Sequence, residues 1–181
     1  NWQVYKKGLI FEYRTIKNFN MNNLHIGEYL NALSTKLMVP PEEREKIENS
    51  IKFIREKLIL YFFDDGLKEL RTFGSFDHGT LLSRKIDPET DIDILIIFNE
   101  KQWEPQTYLN KLKKFAEDHY PRSDKYQDHP TIAIELNHIK FELTPCVYKP
   151  ETTWDYEKYT VPKKQNSEIE WIQTEPDFIK N

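Results

Sequence analysis

The chain has 181 residues, 38% of them hydrophobic and 31% charged, with 26 lysines and arginines set against 30 aspartates and glutamates. That length and apolar content suit one core of ordinary size, and a formal net charge of −4 excludes the globally basic surface that grips extended nucleic acid. A single cysteine, Cys146, excludes an internal disulfide. With neither a signal-peptide core nor an apolar run long enough for a bilayer, the expected setting is a reducing cytoplasm with no membrane partner.

Residues 1–20 are aromatic and basic with little periodicity, and are expected to form an arm or a segment outside the domain, which is expected to occupy residues 21–181. From Asn23 to Leu37 the apolar residues Leu24, Ile26, Tyr29, Leu30, Leu33 and Leu37 recur at helical spacing, and Val39-Pro40-Pro41 ends the segment. Pro41 then suits the first turn of a second helix, where Glu42 and Glu43 meet the positive end of the dipole. Ile47, Ile51, Ile54, Leu58 and Tyr61 mark the stripe it buries. Asp64-Asp65-Gly66 breaks that helix, and Leu67 to Phe73 reads as a short extended run into Gly74.

Asp91 to Phe98 is a strand, with two acidic residues alternating with Ile92 before an apolar run. Lys101 to Tyr120 reads as a helix with Leu109, Leu112, Phe115 and Ala116 on one side. Thr131 to Leu136 and Lys140 to Thr144 read as strands joined by a tight turn at Asn137-His138, with Pro145 closing the second. Beyond Lys149 the chain reads as irregular until Glu175-Pro176, where a further helix begins. This order implies an α+β domain with helices against one face of a mixed sheet.

Residues two apart on a strand share a face, so Asp91 and Asp93 project together while Ile92 points the other way. Two carboxylates held a few ångströms apart beside an apolar strand repel each other and lose solvation unless a cation or strong donors compensate. A hard divalent cation answers this, because Mg²⁺ prefers carboxylate oxygen and shares its shell with substrate phosphates. The competing reading is a pair of solvated surface carboxylates or loop caps.

Two neighbouring features bear on the choice. Gly74-Ser75 and Gly79-Thr80, just upstream, provide glycines that let backbone approach a phosphate and a hydroxyl that donates to it, although an ordinary turn with a helix cap has the same composition and the Walker-type lysine is missing. Glu142, flanked by Phe141 and Leu143, is either a solvated outward residue or a working one on the inner face, with Glu135 on the preceding strand competing for that role. Arg84 and Lys85, in the loop before Asp91, and His78, between Ser75 and Gly79, are further phosphate candidates, with solvated or loop-stabilising roles as the alternative. Trp103, Trp154 and Trp171 suit either base stacking or the core. Structural zinc finds no ligand spacing, since Cys146 is alone and the five histidines are scattered.

Taken together, Gly74-Ser75, Gly79-Thr80, Asp91-x-Asp93 opening an Ile-Leu-Ile-Ile strand, and Glu142-Leu-Thr-Pro145 resemble the DNA polymerase β nucleotidyltransferase superfamily. Within it, His129 to Pro145 and Trp171 to Pro176 resemble the bacterial cyclic-oligonucleotide synthases, relatives of oligoadenylate synthase and cyclic GMP-AMP synthase, over roughly residues 21–181.

The resemblance implies a polymerase β-type palm that transfers a nucleoside monophosphate from an NTP such as ATP to a hydroxyl, releases pyrophosphate, and makes a cyclic or short oligonucleotide messenger in anti-phage defence. It implies that Asp91 and Asp93 bind both of two Mg²⁺ (or Mn²⁺) ions and that Glu142 completes the site of the ion activating the attacking hydroxyl. Gly74 and Ser75 would hold the β and γ phosphates, with Gly79, Thr80 and Arg84 completing the nucleotide-binding set.

Two departures stand beside it. The family's third carboxylate is often Asp, whereas Glu142 is longer by a methylene, and the family's usual C-terminal helical domain is expected to be absent or truncated. The alternatives are a minimal transferase that modifies tRNA or protein, and a catalytically silent domain that binds a nucleotide or a partner. A protein partner or regulator is compatible with each.

Overall fold

Proline steps and polar turns divide residues 38–181 into short segments, and packing on a shared sheet holds them. The computed structural model describes residues 26–99, 103–128, 130–149, 159–165 and 168–174. Two compact units are present, Asn1–Leu37 and Met38–Asn181. In the first, helix α1 spans Ile26–Leu37, carries Glu28 in its first turn and Lys36 in its last, and has no fully buried residue. The expected helix start at Asn23, the arm of residues 1–20 and the helix expected from Glu175-Pro176 lie outside the described residues.

The second unit opens with α2, Pro41–Tyr61, which begins as the sequence dictates: a proline in the first turn, Glu42 and Glu43 beside it, and Ile47, Ile51, Ile54 and Leu58 buried along one stripe. A 3₁₀ turn at Phe63–Asp65, with Gly66 in the left-handed region at φ 75°, leads into strand β1, Leu67–Phe73. One helical turn, α3, Gly74–Asp77, follows directly. Then come β2, Asp91–Asn99, and α4, Pro105–His119. Next are β3, Asp124–Asp128, β4, Thr131–Glu135, and β5, Lys140–Tyr148. A last hairpin is made of β6, Tyr159–Gln165, and β7, Glu168–Thr174. Among the described residues, no helix is long and apolar enough to cross a membrane.

All seven strands join one mixed sheet in the order β1-β2-β5-β4-β3, with β6 paired to β5 and β7 to β6. Among the described residues only β2 and β5 run parallel; the other pairs are antiparallel. The α+β architecture expected from the sequence is therefore present. Strand periodicity sorts β2 into two faces. Ile92, Ile94, Ile96 and Phe98 are fully buried in the main core with Ile47, Ile54 and Leu58 of α2 and Leu109, Leu112 and Phe115 of α4. Leu95 and Ile97 join Cys146 in a smaller cluster, with Phe73, Tyr148, Tyr159 and Val161 packed on it.

Three expectations need correction. Pro145 does not close β5, which continues to Tyr148. Pairing with β4 ends at Leu143 and pairing with β6 begins at Val147, so the proline falls where that flank of the strand has no partner. The region beyond Lys149 is not wholly irregular: β6 and β7 pair over seven residues, and Trp171 stacks edge-on against Tyr108 of α4, 5.4 Å between centroids. Finally, α4 starts at Pro105, which supplies a helix-compatible φ where no intrahelical N–H partner is needed.

Phe98 packs between two aromatic rings of the core, with centroids 5.4 Å from Phe62 and 4.9 Å from Tyr108. Phe98→Ala leaves a cavity that rigid strands cannot close, and urea titration is expected to show a loss of about 3–5 kcal/mol. A loss below about 1 kcal/mol would contradict this account of the core.

Candidate active site

The acidic residues are brought together by the parallel pairing of β2 with β5. In the β2–β5 register Asp91 lies beside Lys140 and Asp93 beside Glu142. Because alternate residues share a face, Asp91, Asp93, Lys140 and Glu142 all project away from the helical core. Farther along, the same face becomes apolar at Leu95, Ile97 and Cys146. The polar end of this face is thus a short ledge between solvent and a small hydrophobic cluster.

Gly74 closes one side of the ledge. It follows the β1 residue Phe73, which pairs with Asp93, and it adopts φ 72°, a conformation that favours glycine. A Cβ built on Gly74 would overlap Asp93 Oδ2 and lie 3.2 Å from Asp93 Cγ. The glycine is therefore required twice, once by its backbone and once by the carboxylate against it. Gly79 also has a positive φ, 67°, but faces open space. Between them, the Ser75 carbonyl accepts the Thr80 N–H at 2.9 Å and the Thr80 hydroxyl at 3.4 Å, tying the loop into a compact turn.

Lys140 is the group that sequence reasoning missed. Its ammonium donates to Asp91 Oδ2 at 3.2 Å and to Glu142 Oε1 at 2.9 Å, and the residue is only 7% exposed. Burial alone would lower the lysine pKa, but the hydrogen bonds and charges of Glu142 and Asp91 outweigh it and hold the group charged. Asp93 stays under-compensated: burial first, then the charges of Asp91 and Glu142, push its carboxyl up to about 7, against a smaller lowering by Lys140. The signal available in sequence was Lys140-x-Glu142, the same two-residue spacing as Asp91-x-Asp93 and hence the same face of a strand.

Beside Asp93 opens a cleft of about 270 Å³, walled by Phe73, Leu95, Pro130, Thr131, Thr144, Val161 and Thr174. Arg84 stands elsewhere, on a groove of about 320 Å³ with Glu42, Glu43, Lys46, Lys85 and His138. Its guanidinium donates to the Pro88 carbonyl at 2.9 and 3.1 Å and to the Leu136 carbonyl at 3.1 Å, and pairs with Glu135 at 3.4 Å. Arg84 thus staples the loop before β2 to the β4–β5 turn. Glu135, the rival third carboxylate, is engaged with Arg84 and with the Tyr126 hydroxyl at 3.2 Å. His78 caps α3 through its backbone, and Trp103 and Trp171 both contact Tyr108 of the core; Trp154 lies outside the described residues.

Among the described residues, no three histidine, cysteine or carboxylate side chains form a ready-made metal cage. The ledge nevertheless fits a hard divalent cation in donor type and charge. Its donors are carboxylate oxygens, and the raised Asp93 shows that one ammonium does not neutralise three acids.

Comparison with known proteins agrees with this architecture. The Second Messenger Oligonucleotide or Dinucleotide Synthetase domain matches residues 24–181. Among curated proteins none matches the chain. Solved structures with the same fold include the CD-NTase CdnG of Bradyrhizobium diazoefficiens in complex with GTP, at 18% identity and TM-score 0.64, covering 81% of this chain and 42% of that one. The cyclic AMP-GMP synthase DncV of Vibrio cholerae, with nonhydrolyzable GTP, is 17% identical at TM-score 0.64, covering 81% and 56%. CdnC of E. coli MS115-1, in complex with HORMA-deltaN, is 18% identical at TM-score 0.55, covering 81% and 46%. The chain spans about half the length of these proteins.

The raised Asp93 carboxyl ties stability to pH. Below about pH 4 folded and unfolded chains both hold this proton; between there and about 7 only the folded chain does, so the contribution fades as pH rises through that window. In chelator, Asp93→Asn should therefore gain stability relative to the wild type as pH rises. The gain should reach roughly 1–2 kcal/mol near pH 8 once solvent screening is allowed for. Thermal melts across the window check this, and a variant less stable than the wild type near pH 8 would remove the repulsion it rests on.

Proposed function

We propose, because this chain belongs to the Second Messenger Oligonucleotide or Dinucleotide Synthetase domain family, that it is the catalytic domain of a nucleotidyltransferase making a cyclic or short oligonucleotide from NTPs. The observation that carries this reading is the register of Asp93 beside Glu142, with Asp91 on the same face and Gly74 packed on the Asp93 carboxylate. Three acids converge there from two strands far apart in sequence.

In this reading Asp91, Asp93 and Glu142 hold Mg²⁺ or Mn²⁺, two ions in the working enzyme. The metal, when bound, neutralises the phosphates and lowers the pKa of the attacking hydroxyl. The chain's own residues do the rest by positioning. Gly74 and Ser75, at the β1–α3 junction against Asp93, receive the β and γ phosphates, and Gly79 and Thr80 keep that loop in shape. The hydroxyl oxygen forms its new bond to the α phosphorus, the bond to pyrophosphate breaks, and the hydroxyl proton passes to solvent. The cleft beside Asp93, walled by Leu95, Thr131 and Thr144, lies where a group reacting at this carboxylate would enter. Arg84 serves the site at one remove, by fixing the loop that delivers Asp91.

GTP bound to CdnG and a GTP analogue bound to DncV support NTPs as substrates, and the CdnC complex with HORMA-deltaN supports a protein partner as regulator. A messenger role in anti-phage defence and a cytoplasmic setting are part of the same proposal.

Labelled NTPs with Mn²⁺ or Mg²⁺ test the proposal. Pyrophosphate release is expected to fall by roughly 10³-fold or more in Asp91→Asn and in Asp93→Asn. The double variant should also lose metal-dependent NTP binding in calorimetry. Turnover that persists in Asp93→Asn excludes this assignment.

A further inference from the structure

The cation already inside the ledge belongs to the chain. Lys140 is buried, its two recorded ion-pair partners are Asp91 and Glu142 at 3.2 and 2.9 Å, and those carboxylates are two of the three that the proposed chemistry assigns to metal. Arg84, which is tied to the Pro88 and Leu136 carbonyls as well as to Glu135, offers the contrast. An arginine held by backbone is a fixed part of the scaffold, whereas a lysine held by two acidic side chains sits on a flexible four-carbon stem and can exchange partners. An ammonium and a divalent cation also cannot occupy the same two oxygens: drawn together there, they repel each other strongly.

We propose that Lys140 is the resident counter-ion of the metal-free site, clamping Asp91 and Glu142 together until a divalent cation displaces it from them. The lysine thereby sets how much metal the site needs. Before metal arrives, it keeps two repelling acids in place on adjacent strands. After metal arrives, its ammonium is released toward the open side of the ledge. The inference rests on the reading that Asp91, Asp93 and Glu142 bind metal, and it concerns a residue to which that reading gives no role.

The probe is Mn²⁺ alone, without nucleotide, titrated into the protein by calorimetry and by the electron paramagnetic resonance of free ion. Lys140→Met and Lys140→Gln should each bind Mn²⁺ roughly five- to tenfold more tightly than the wild type, because the competitor is gone. In chelator both should melt several degrees lower, and saturating Mn²⁺ should close that gap. Lys111→Met, which removes an equal charge paired instead with Asp65 at 3.0 Å, should leave Mn²⁺ affinity unchanged. Equal or weaker Mn²⁺ binding in both neutral variants overturns the exchange, as does an equal tightening in Lys111→Met. Melting unchanged in chelator overturns the clamp. Wild-type Mn²⁺ binding that survives Asp91→Asn with Asp93→Asn instead removes the metal reading itself. Binding that needs those aspartates yet ignores Lys140 removes only the exchange.

Discussion

Like charges forced together by a strand register are the constraint around which this site is organised. The parallel pairing of β2 with β5 puts Asp93 beside Glu142 and Asp91 beside Lys140, and hydrogen bonding along nine residue pairs leaves no freedom for the acids to move apart. Three devices make that arrangement tolerable. Lys140 bridges two of the acids, Asp93 holds its proton more tightly than an ordinary aspartate, and Gly74 removes its own side chain from the space the Asp93 carboxylate needs. The opposite face of the same strands supplies the anchorage: Ile92, Ile94, Phe141 and Leu143 are buried in the main core, so neither strand can shift its register without exposing that core.

Much of this could be read from the order of residues, for identifiable reasons. The period of two in Asp91-Ile92-Asp93 gave both the strand and its acidic face, and the apolar neighbours of Glu142 marked an acid in an unusual place. The α2 stripe and its proline start were equally legible, because local spacing determines them. What stayed hidden depends on pairing with a partner strand and not on the composition of the segment itself. β3 is Asp-Lys-Tyr-Gln-Asp, a strand whose polar composition carries no strand signal and whose described strand partner is β4. β6 contains Pro162, which argues against a strand until its pairing with Trp171 of β7 is seen. Lys140 escaped notice because attention to an acidic pattern overlooks the base that completes it.

Gly74 and Arg84 show how a residue can carry a packing role beside the one its sequence context first suggests. A glycine before a serine invites a phosphate-loop reading, yet its immediate neighbour here is the Asp93 side chain. An arginine in a loop before an acidic strand invites a phosphate contact, yet its bonds run to Pro88, Leu136 and Glu135. Both residues hold the ledge in shape, so the precision of any chemistry at Asp93 is inherited from contacts that a ligand need not touch.

The parallel pairing also orders events in time. Asp93 and Glu142 are roughly fifty residues apart in the chain, joined through α4 and the β3–β4 hairpin, so closing that loop is a slow and non-local step. Local elements can form while the acids are still far apart and fully hydrated. Their mutual repulsion is met only when β5 docks, by which time Lys140, carried on the same strand, arrives with Glu142. The chain therefore delivers Glu142 and the cation that pairs with it in one folding event.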